Sequence, residues 1–273
     1  MSRARSVLYL PASNARAVDK ARSLTCDVAV LDLEDAVAPE MKLEARAAAV
    51  AAAREGGFGP RLGVRINGLD TPWGADDLAA LRDAPVDLLV APKVERAATV
   101  RALSDGIRPG VKLWAMIETP RALVDLRAIA EAGGALSGLM LGVNDLAKDL
   151  RTGASADREP LKSWLAAVVA HARANGLLAI DGVFNRIKDE AGFAAECAQG
   201  RLYGFDGKSL IHPSQIEEAN AAFGASVEEV EWARTVVAAF AAPEAEGLGV
   251  IRVEGEMVER LHLEQAQDLL ASL

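Results

Sequence analysis

Leu113-Trp-Ala-Met-Ile-Glu118-Thr-Pro120 and Gly138-Leu-Met-Leu-Gly-Val-Asn-Asp145-Leu146 are two short apolar runs, each ending on a carboxylate. A carboxylate at the C-terminal end of a buried strand does little for stability. It is well placed for chemistry if the strands close into a barrel, because such folds build their sites at that rim. Two of them on neighbouring strands can hold a hard divalent cation such as Mg²⁺. The fold therefore turns on whether the rest of the chain supplies the other strands.

Working outward, it does. Strand-like runs lie at Ser6–Pro11, Val28–Asp35, Leu62–Asn67, Leu88–Val94, Leu113–Glu118, Gly138–Asp145, Leu177–Val183 and Gly204–Ile211. Most are continuously apolar, as expected for parallel strands covered on both faces. Segments with helical spacing separate them: Ala15–Ser23, Lys42–Glu55, Ala75–Arg82, Arg121–Ala132, Pro160–Asn175 and Asp189–Gln199. Eight β/α units predict an α/β fold, a TIM (β/α)₈ barrel over residues 1–215. An open doubly wound sheet is the runner-up, and no Gly-rich dinucleotide fingerprint follows the first strand to favour it.

Residues 216–273 form a C-terminal extension. It reads as a helix over Ser226–Phe240, a Pro/Gly/Glu linker over Ala241–Gly249, a hairpin from Val250–Val253 and Gly255–Val258, and a last helix over Leu261–Leu273. A barrel is complete before it, so this extension is expected to pack on the barrel or on a neighbouring subunit.

The 273 residues suffice for one large domain with a sizeable core. The formal net charge of −9 argues against a nucleic-acid footprint, and an anionic ligand would need a local basic cluster. Cys26 and Cys197 have no partner at metal or redox spacing and read as buried thiols of a reducing compartment. No signal-like apolar region follows Met1, and no stretch reaches membrane-spanning length; a soluble cytoplasmic protein is expected.

Polar residues gather at the strand ends: Ser13-Asn14, Asp32-Leu-Glu34-Asp35, Arg65-Ile-Asn67, Lys93-Val-Glu95, Glu118, Asp145 and Asp206-Gly-Lys208-Ser209. In a barrel these ends share one face. Glu118 need not cap the next helix, because Thr119 can do so ahead of Pro120. Arg65 lies within an apolar strand. It reads either as a salt-bridge partner of Glu34 or Asp35, or as a clamp on a substrate carboxylate or developing enolate oxygen, and the two roles are compatible. Glu34 and Asp35 are adjacent, so on an extended strand only one faces the interior. Arg16 and Lys20 share a helix face, as do Lys42 and Arg46; each pair is a solvated surface or a phosphate site near the mouth. Among the histidines only His212 lies near a strand end, as a hydrogen-bonding or packing group. No His/Cys constellation suggests zinc.

These motifs resemble the citrate lyase β-subunit-like family of the HpcH/HpaI aldolase superfamily, which includes malyl-CoA and citramalyl-CoA lyases. The matching segments are Arg5–Asn14, Leu31–Val37, Val64–Asn67, Ala91–Val94, Ile117–Thr119, Leu141–Leu146 and Gly204–Pro213, in family order over roughly residues 5–215. The resemblance implies Mg²⁺ held by Glu118 and Asp145. It implies a small 2-oxo acid on Arg65, with Asn144 beside the metal loop. It places coenzyme A phosphates near Arg16 and Lys20, and the acyl channel along Ile211 and His212. It also implies trimers, or hexamers made from them, in which the extension supplies an acidic residue to a neighbour's site.

The tail departs from the family pattern. Met257-Val-Glu259-Arg-Leu261 stands where the family has an Asp followed by a residue and Pro. Glu259 is one methylene longer, and misplacing a proton-transfer group by about an ångström can cost on the order of 10²-fold in rate. Ala12 and Arg151 stand where glycine is common.

The leading expectation is an Mg²⁺-dependent carbon–carbon lyase of 3-hydroxy-acyl-CoA thioesters, with Arg65, Glu34, Asp35 and Glu259 as its catalytic candidates. Thioester hydrolysis at the same site is an alternative. So are an aldolase that dispenses with coenzyme A and a non-catalytic binding subunit of a larger complex.

Overall fold

A computed structural model describes residues 4–271 and 273. Residues 1–3 and 272, which include one position of the last expected helix, lie outside the described residues. Eight parallel strands form a closed barrel: β1 (Ser6–Pro11), β2 (Val28–Asp32), β3 (Arg61–Arg65), β4 (Leu88–Ala91), β5 (Lys112–Ile117), β6 (Leu136–Leu141), β7 (Leu178–Asp181) and β8 (Gly207–Leu210). They pair in sequence order, and β8 returns to β1 with Ser6 opposite Lys208. This is a TIM barrel.

The helices between strands are α1 (Ala15–Ala21), α2 (Lys42–Glu55), α3 (Gly74–Leu81), α4 (Ala97–Gly106), the short pair α5 (Pro120–Val124) and α6 (Leu126–Ala130), α7 (Val143–Leu150), α8 (Lys162–Ala174) and α9 (Glu190–Tyr203). α10 (Ile216–Ala222) follows β8 and packs on α9, β1 and β8. The barrel unit therefore reaches Phe223 rather than ending at residue 215.

Alternation along each strand sorts the side chains. Val7, Val28, Val30, Leu88, Val90, Trp114, Met116, Met140, Leu178 and Ile180 fill the interior. Their neighbours, such as Leu31, Val64, Leu89, Leu113 and Leu139, face the helices in the larger core. Trp114 is the bulkiest interior group, and β6 makes room for it with Gly138, where a Cβ would lie 2.7 Å from the indole. The same alternation carries Asp32, Arg65 and Glu118 inward, each at or just past a strand's C-terminal end.

The strand-end convergence is narrower than the sequence suggests. Lys208 points outward and bonds Asp181 at 2.9 Å and Glu196 of α9 at 2.7 Å, with Arg158 2.8 Å from Asp181. Asp206 precedes β8 and binds Arg173. Lys42 and Arg46, expected as a solvated surface pair or a phosphate site near the mouth, are used internally. Lys42 donates to the carbonyls of Leu33 and Glu34, and Arg46 binds Asp77 at 2.6 Å.

The C-terminal unit, Gly224–Leu273, has its own small core of Ala233, Val236, Val253, Val258 and Ala266. Ser226 and Glu229 form a reciprocal cap at the start of α11 (Val227–Ala241). An antiparallel hairpin, β9 (Val250–Val253) and β10 (Glu256–Glu259), turns through Glu254-Gly255, both at positive φ as a two-residue hairpin turn requires. α12 (Arg260–Ala271) closes the unit.

Candidate active site

A cavity of about 380 Å³ opens at the C-terminal rim, lined wholly by the barrel unit. Tyr9, Asp32, Asp35, Arg65, Glu118, Asn144, Asp145, Asn185, Ser209 and Ile211 are among its walls.

Arg65 is anchored by strand register. Asp32 on β2 is its lateral neighbour, and the guanidinium grips that carboxylate with two bonds, of 2.7 and 2.6 Å. Glu34 approaches at 3.1 Å, and the Tyr9 ring lies 4.8 Å from the guanidinium carbon. Burial disfavours the guanidinium's charge, but the bonds to Asp32 outweigh it and hold the pKa well above the usual value. Arg65 thus pairs with Glu34, as one of the two expected carboxylates, and with Asp32, whose part the sequence did not single out. Asp35 is on the rim instead, its side chain 60% exposed. β2 ends at Asp32, so the strict alternation expected through Asp35 does not apply there. Glu34 follows a tight turn in which Asp32 accepts the Glu34 and Ala36 N–H groups.

Glu118 is 2% exposed at the end of β5. Its Oε1 accepts the main-chain N–H of Lys93 at 2.7 Å. Burial raises its pKa to about 7 against the pull of that bond. Asp145 corrects the expected geometry: β6 ends at Leu141, and Asp145 sits in the first turn of α7, half-buried, where a helix start favours an anion. Gly142, between them, is where Glu118 closes in: a Cβ there would lie 2.3 Å from Glu118 Oε2. The rim therefore leaves a cradle for that carboxylate beside Asp145.

The donor set is two carboxylates and no nitrogen or sulfur. That suits Mg²⁺, which keeps several waters and takes one or two carboxylates together with substrate oxygens. Among the described residues no group of three or more His, Cys, Asp or Glu is arranged to hold a metal alone. The residues fit the hard, partly hydrated cation and not a closed protein cage.

Other expected site residues fall as follows. Asn144 lines the cavity and exchanges amide bonds with Asn185. Ile211 lines it as well, while His212 is exposed and caps the turn Pro213–Gln215. Arg16 and Lys20 are exposed on α1, just beyond the strand whose end, Pro11, is a cavity wall. Glu259 is an exposed residue of the C-terminal unit, its N–H donating to His262. Arg151 is the left-handed C-cap of α7, at φ +56°, which explains why glycine suits that position. Tyr9 and Asn185 are not singled out in the sequence, and Asp32 and Lys93 stand there only among the strand-end residues, without a role at the site.

A parallel barrel with an arginine and paired carboxylates at its C-terminal rim has the architecture in which TIM-barrel enzymes build their active sites. The chain belongs to the HpcH/HpaI aldolase/citrate lyase family, whose model matches residues 5–213. It is 46% identical to a (3S)-malyl-CoA thioesterase of Cereibacter sphaeroides, over 98% of this chain and 93% of that protein. It is 34% identical to the citrate lyase β subunit of Escherichia coli, over 98% and 92%. Among solved structures, CitE of Mycobacterium tuberculosis in complex with magnesium, acetoacetate and coenzyme A superposes with a TM-score of 0.82 at 33% identity, covering 99% of this chain and 98% of that one. The citrate lyase β subunit from the same organism, with oxaloacetate and magnesium, matches with a TM-score of 0.71 at 32% identity, covering 81% and 97%.

Proposed function

We propose that this protein is an Mg²⁺-dependent enzyme of 3-hydroxy-acyl-CoA thioesters that breaks or forms the carbon–carbon bond between a 2-oxo acid and acetyl-CoA. The observation that carries this reading is one rim cavity holding the anchored guanidinium of Arg65 together with the carboxylates of Glu118 and Asp145. The M. tuberculosis complexes with magnesium and oxo acids support it.

Bound through Glu118 and Asp145, Mg²⁺ would act as a Lewis acid toward the oxygens of the oxo acid. Arg65 binds the carboxylate and keto oxygens of that acid and offsets the charge that develops there. Glu34 and Asp32 hold Arg65 in place. Asp35, the most exposed of the cavity's carboxylates, accepts the proton of the substrate hydroxyl. The bond between C2 and C3 of the thioester then breaks, giving the oxo acid and the enolate of acetyl-CoA. Glu259, from a neighbouring copy in a trimer or hexamer, returns a proton to the enolate carbon. Condensation runs the same steps in reverse. Arg16 and Lys20 meet the phosphates of coenzyme A, and Ile211 and His212 flank the acyl chain. Among the described residues no helix is long and apolar enough to cross a membrane.

Thioester hydrolysis is the second reading, favoured by the 46% identity to a (3S)-malyl-CoA thioesterase. In it, water attacks the thioester carbonyl, and free coenzyme A leaves with the hydroxy acid. Product analysis separates the two. Malyl-, citramalyl-, methylmalyl- and citryl-CoA are incubated with Mg²⁺ and without it. Acetyl-CoA (propionyl-CoA from methylmalyl-CoA) plus an oxo acid supports the lyase; coenzyme A plus the intact hydroxy acid supports hydrolysis. Equal turnover of the free hydroxy acids would contradict both.

A further inference from the structure

Lys93 has no part in that scheme, yet its main chain and side chain together meet four carboxylates at the rim. It lies just past β4 with φ +49°, a left-handed conformation that non-glycine residues adopt at a cost. The conformation does two things. It aims the main-chain N–H at Oε1 of Glu118, 2.7 Å away. It also leaves the ammonium among the other rim carboxylates, 2.5 Å from Glu34 Oε1, 3.6 Å from Asp145 Oδ2 and 3.8 Å from Asp35 Oδ1. Glycine would relieve the backbone and keep the N–H. The side chain is therefore what accounts for a lysine here.

We infer that Lys93 is a positioning residue that sets the affinity of the site for its divalent cation. Its main chain holds one carboxylate of the metal pair, and its ammonium is a built-in rival cation at the other. This rests on reading Glu118 and Asp145 as the metal pair. Glu34, Asp35, Glu118 and Asp145 face the cationic groups of Arg65 and Lys93, and Asp32 already occupies Arg65. Before metal binds, the ammonium offsets repulsion among the remaining carboxylates. A dication beside Asp145 is opposed by a positive charge a few ångströms away, partly screened by solvent because the Lys93 side chain is 43% exposed and that of Asp145 28%. Glu34 and Asp35 then retain the ammonium, so the lysine yields Asp145 without leaving the rim.

The test uses Mn²⁺ as the probe, its free ion followed by electron paramagnetic resonance at constant pH and ionic strength. Wild type, Lys93→Gly, Lys93→Met, Lys93→Arg and Glu118→Gln are compared, each confirmed folded by circular dichroism. The expected result is Mn²⁺ binding at least about tenfold tighter in Lys93→Gly and Lys93→Met, and within about threefold of wild type in Lys93→Arg, as removal or retention of one nearby charge requires. Unchanged or weaker binding in both neutral variants overturns the inference. Glu118→Gln separates the two levels: if it binds like wild type, the metal-pair reading fails, whatever Lys93 does.

Discussion

The guanidinium of Arg65 closes on Asp32 with two parallel bonds, Nε to Oδ1 at 2.7 Å and Nη2 to Oδ2 at 2.6 Å. Asp32 also accepts two main-chain N–H groups of the turn leading to Glu34. One buried carboxylate thus orients the proposed substrate clamp and shapes the loop beside it. Asp32→Ala leaves the guanidinium unpaired on its main side, and breaking a buried pair in this way costs about 3–5 kcal/mol. Urea unfolding should show that loss. Asp32→Asn should lose less stability and raise KM for the oxo acid by about tenfold, the penalty of a misdirected charged hydrogen bond. An Asp32→Asn enzyme with wild-type KM would show that Arg65 is oriented by other groups.

Tyr9 stands on the cavity floor with its hydroxyl 2.9 Å from the sulfur of Met140. A thioether is a weak acceptor, so the phenol retains capacity for a substrate oxygen. Tyr9→Phe should change stability by less than about 1 kcal/mol and weaken oxo-acid binding about threefold to tenfold, the worth of one neutral hydrogen bond. Calorimetric titration with pyruvate or oxaloacetate in the presence of Mg²⁺ would measure it.

Gly142 adopts φ −98°, which alanine tolerates, so Gly142→Ala should fold. Its Cβ would nevertheless lie 2.3 Å from Glu118 Oε2 and 2.4 Å from Glu118 Cβ, so the carboxylate and the end of β5 that carries it must shift. Mg²⁺ affinity should fall roughly 10- to 100-fold, as for other disturbances that misorient a metal ligand. A Gly142→Ala variant that melts like wild type and binds Mg²⁺ equally well would place the metal elsewhere.

Burial raises the pKa of Glu118 to about 7, well above its ordinary value of 4.5. The sign follows. Between those two values the folded, metal-free protein holds a proton that the unfolded chain has released, so Glu118's contribution to stability declines as pH rises from about 4.5 to about 7. Mg²⁺ binds the ionised form. Below about pH 7 it must displace the proton, and its apparent affinity should drop about tenfold per pH unit. The rise in melting temperature on adding Mg²⁺ should therefore be larger at pH 8 than at pH 6; equal shifts would contradict the assignment.

The barrel was legible because strands buried on both faces leave continuous apolar runs, and all eight survive in the structure within a few residues. No helix is read from the sequence at α4, although its faces differ in polarity at least as much as those of the helices found, and the first turn of α7 is taken there as the end of the strand run Gly138–Asp145; Arg121–Ala132 divides at Asp125 into two short helices. The site was only partly legible. Glu118 is where its strand predicted it. Asp145 enters from a helix start, because Gly142 ends the strand earlier than the apolar pattern does. The Arg65–Asp32 pair depends on the register between β2 and β3, which no local spacing encodes. Lys93 reaches Glu118 only through a left-handed backbone that its residue type argues against.

In the proposed mechanism Glu118 and Asp145 hold the cation on which thioester turnover depends. The direct measurement is turnover of the CoA-thioester panel by wild type and by Asp145→Ala, with Mg²⁺ supplied and with Mg²⁺ removed by chelation. Wild-type activity should be abolished by chelation and restored by Mg²⁺, and Asp145→Ala should lose activity on the order of 10²-fold or more at every Mg²⁺ concentration. Metal-dependent turnover by Asp145→Ala at the wild-type rate would contradict that mechanism.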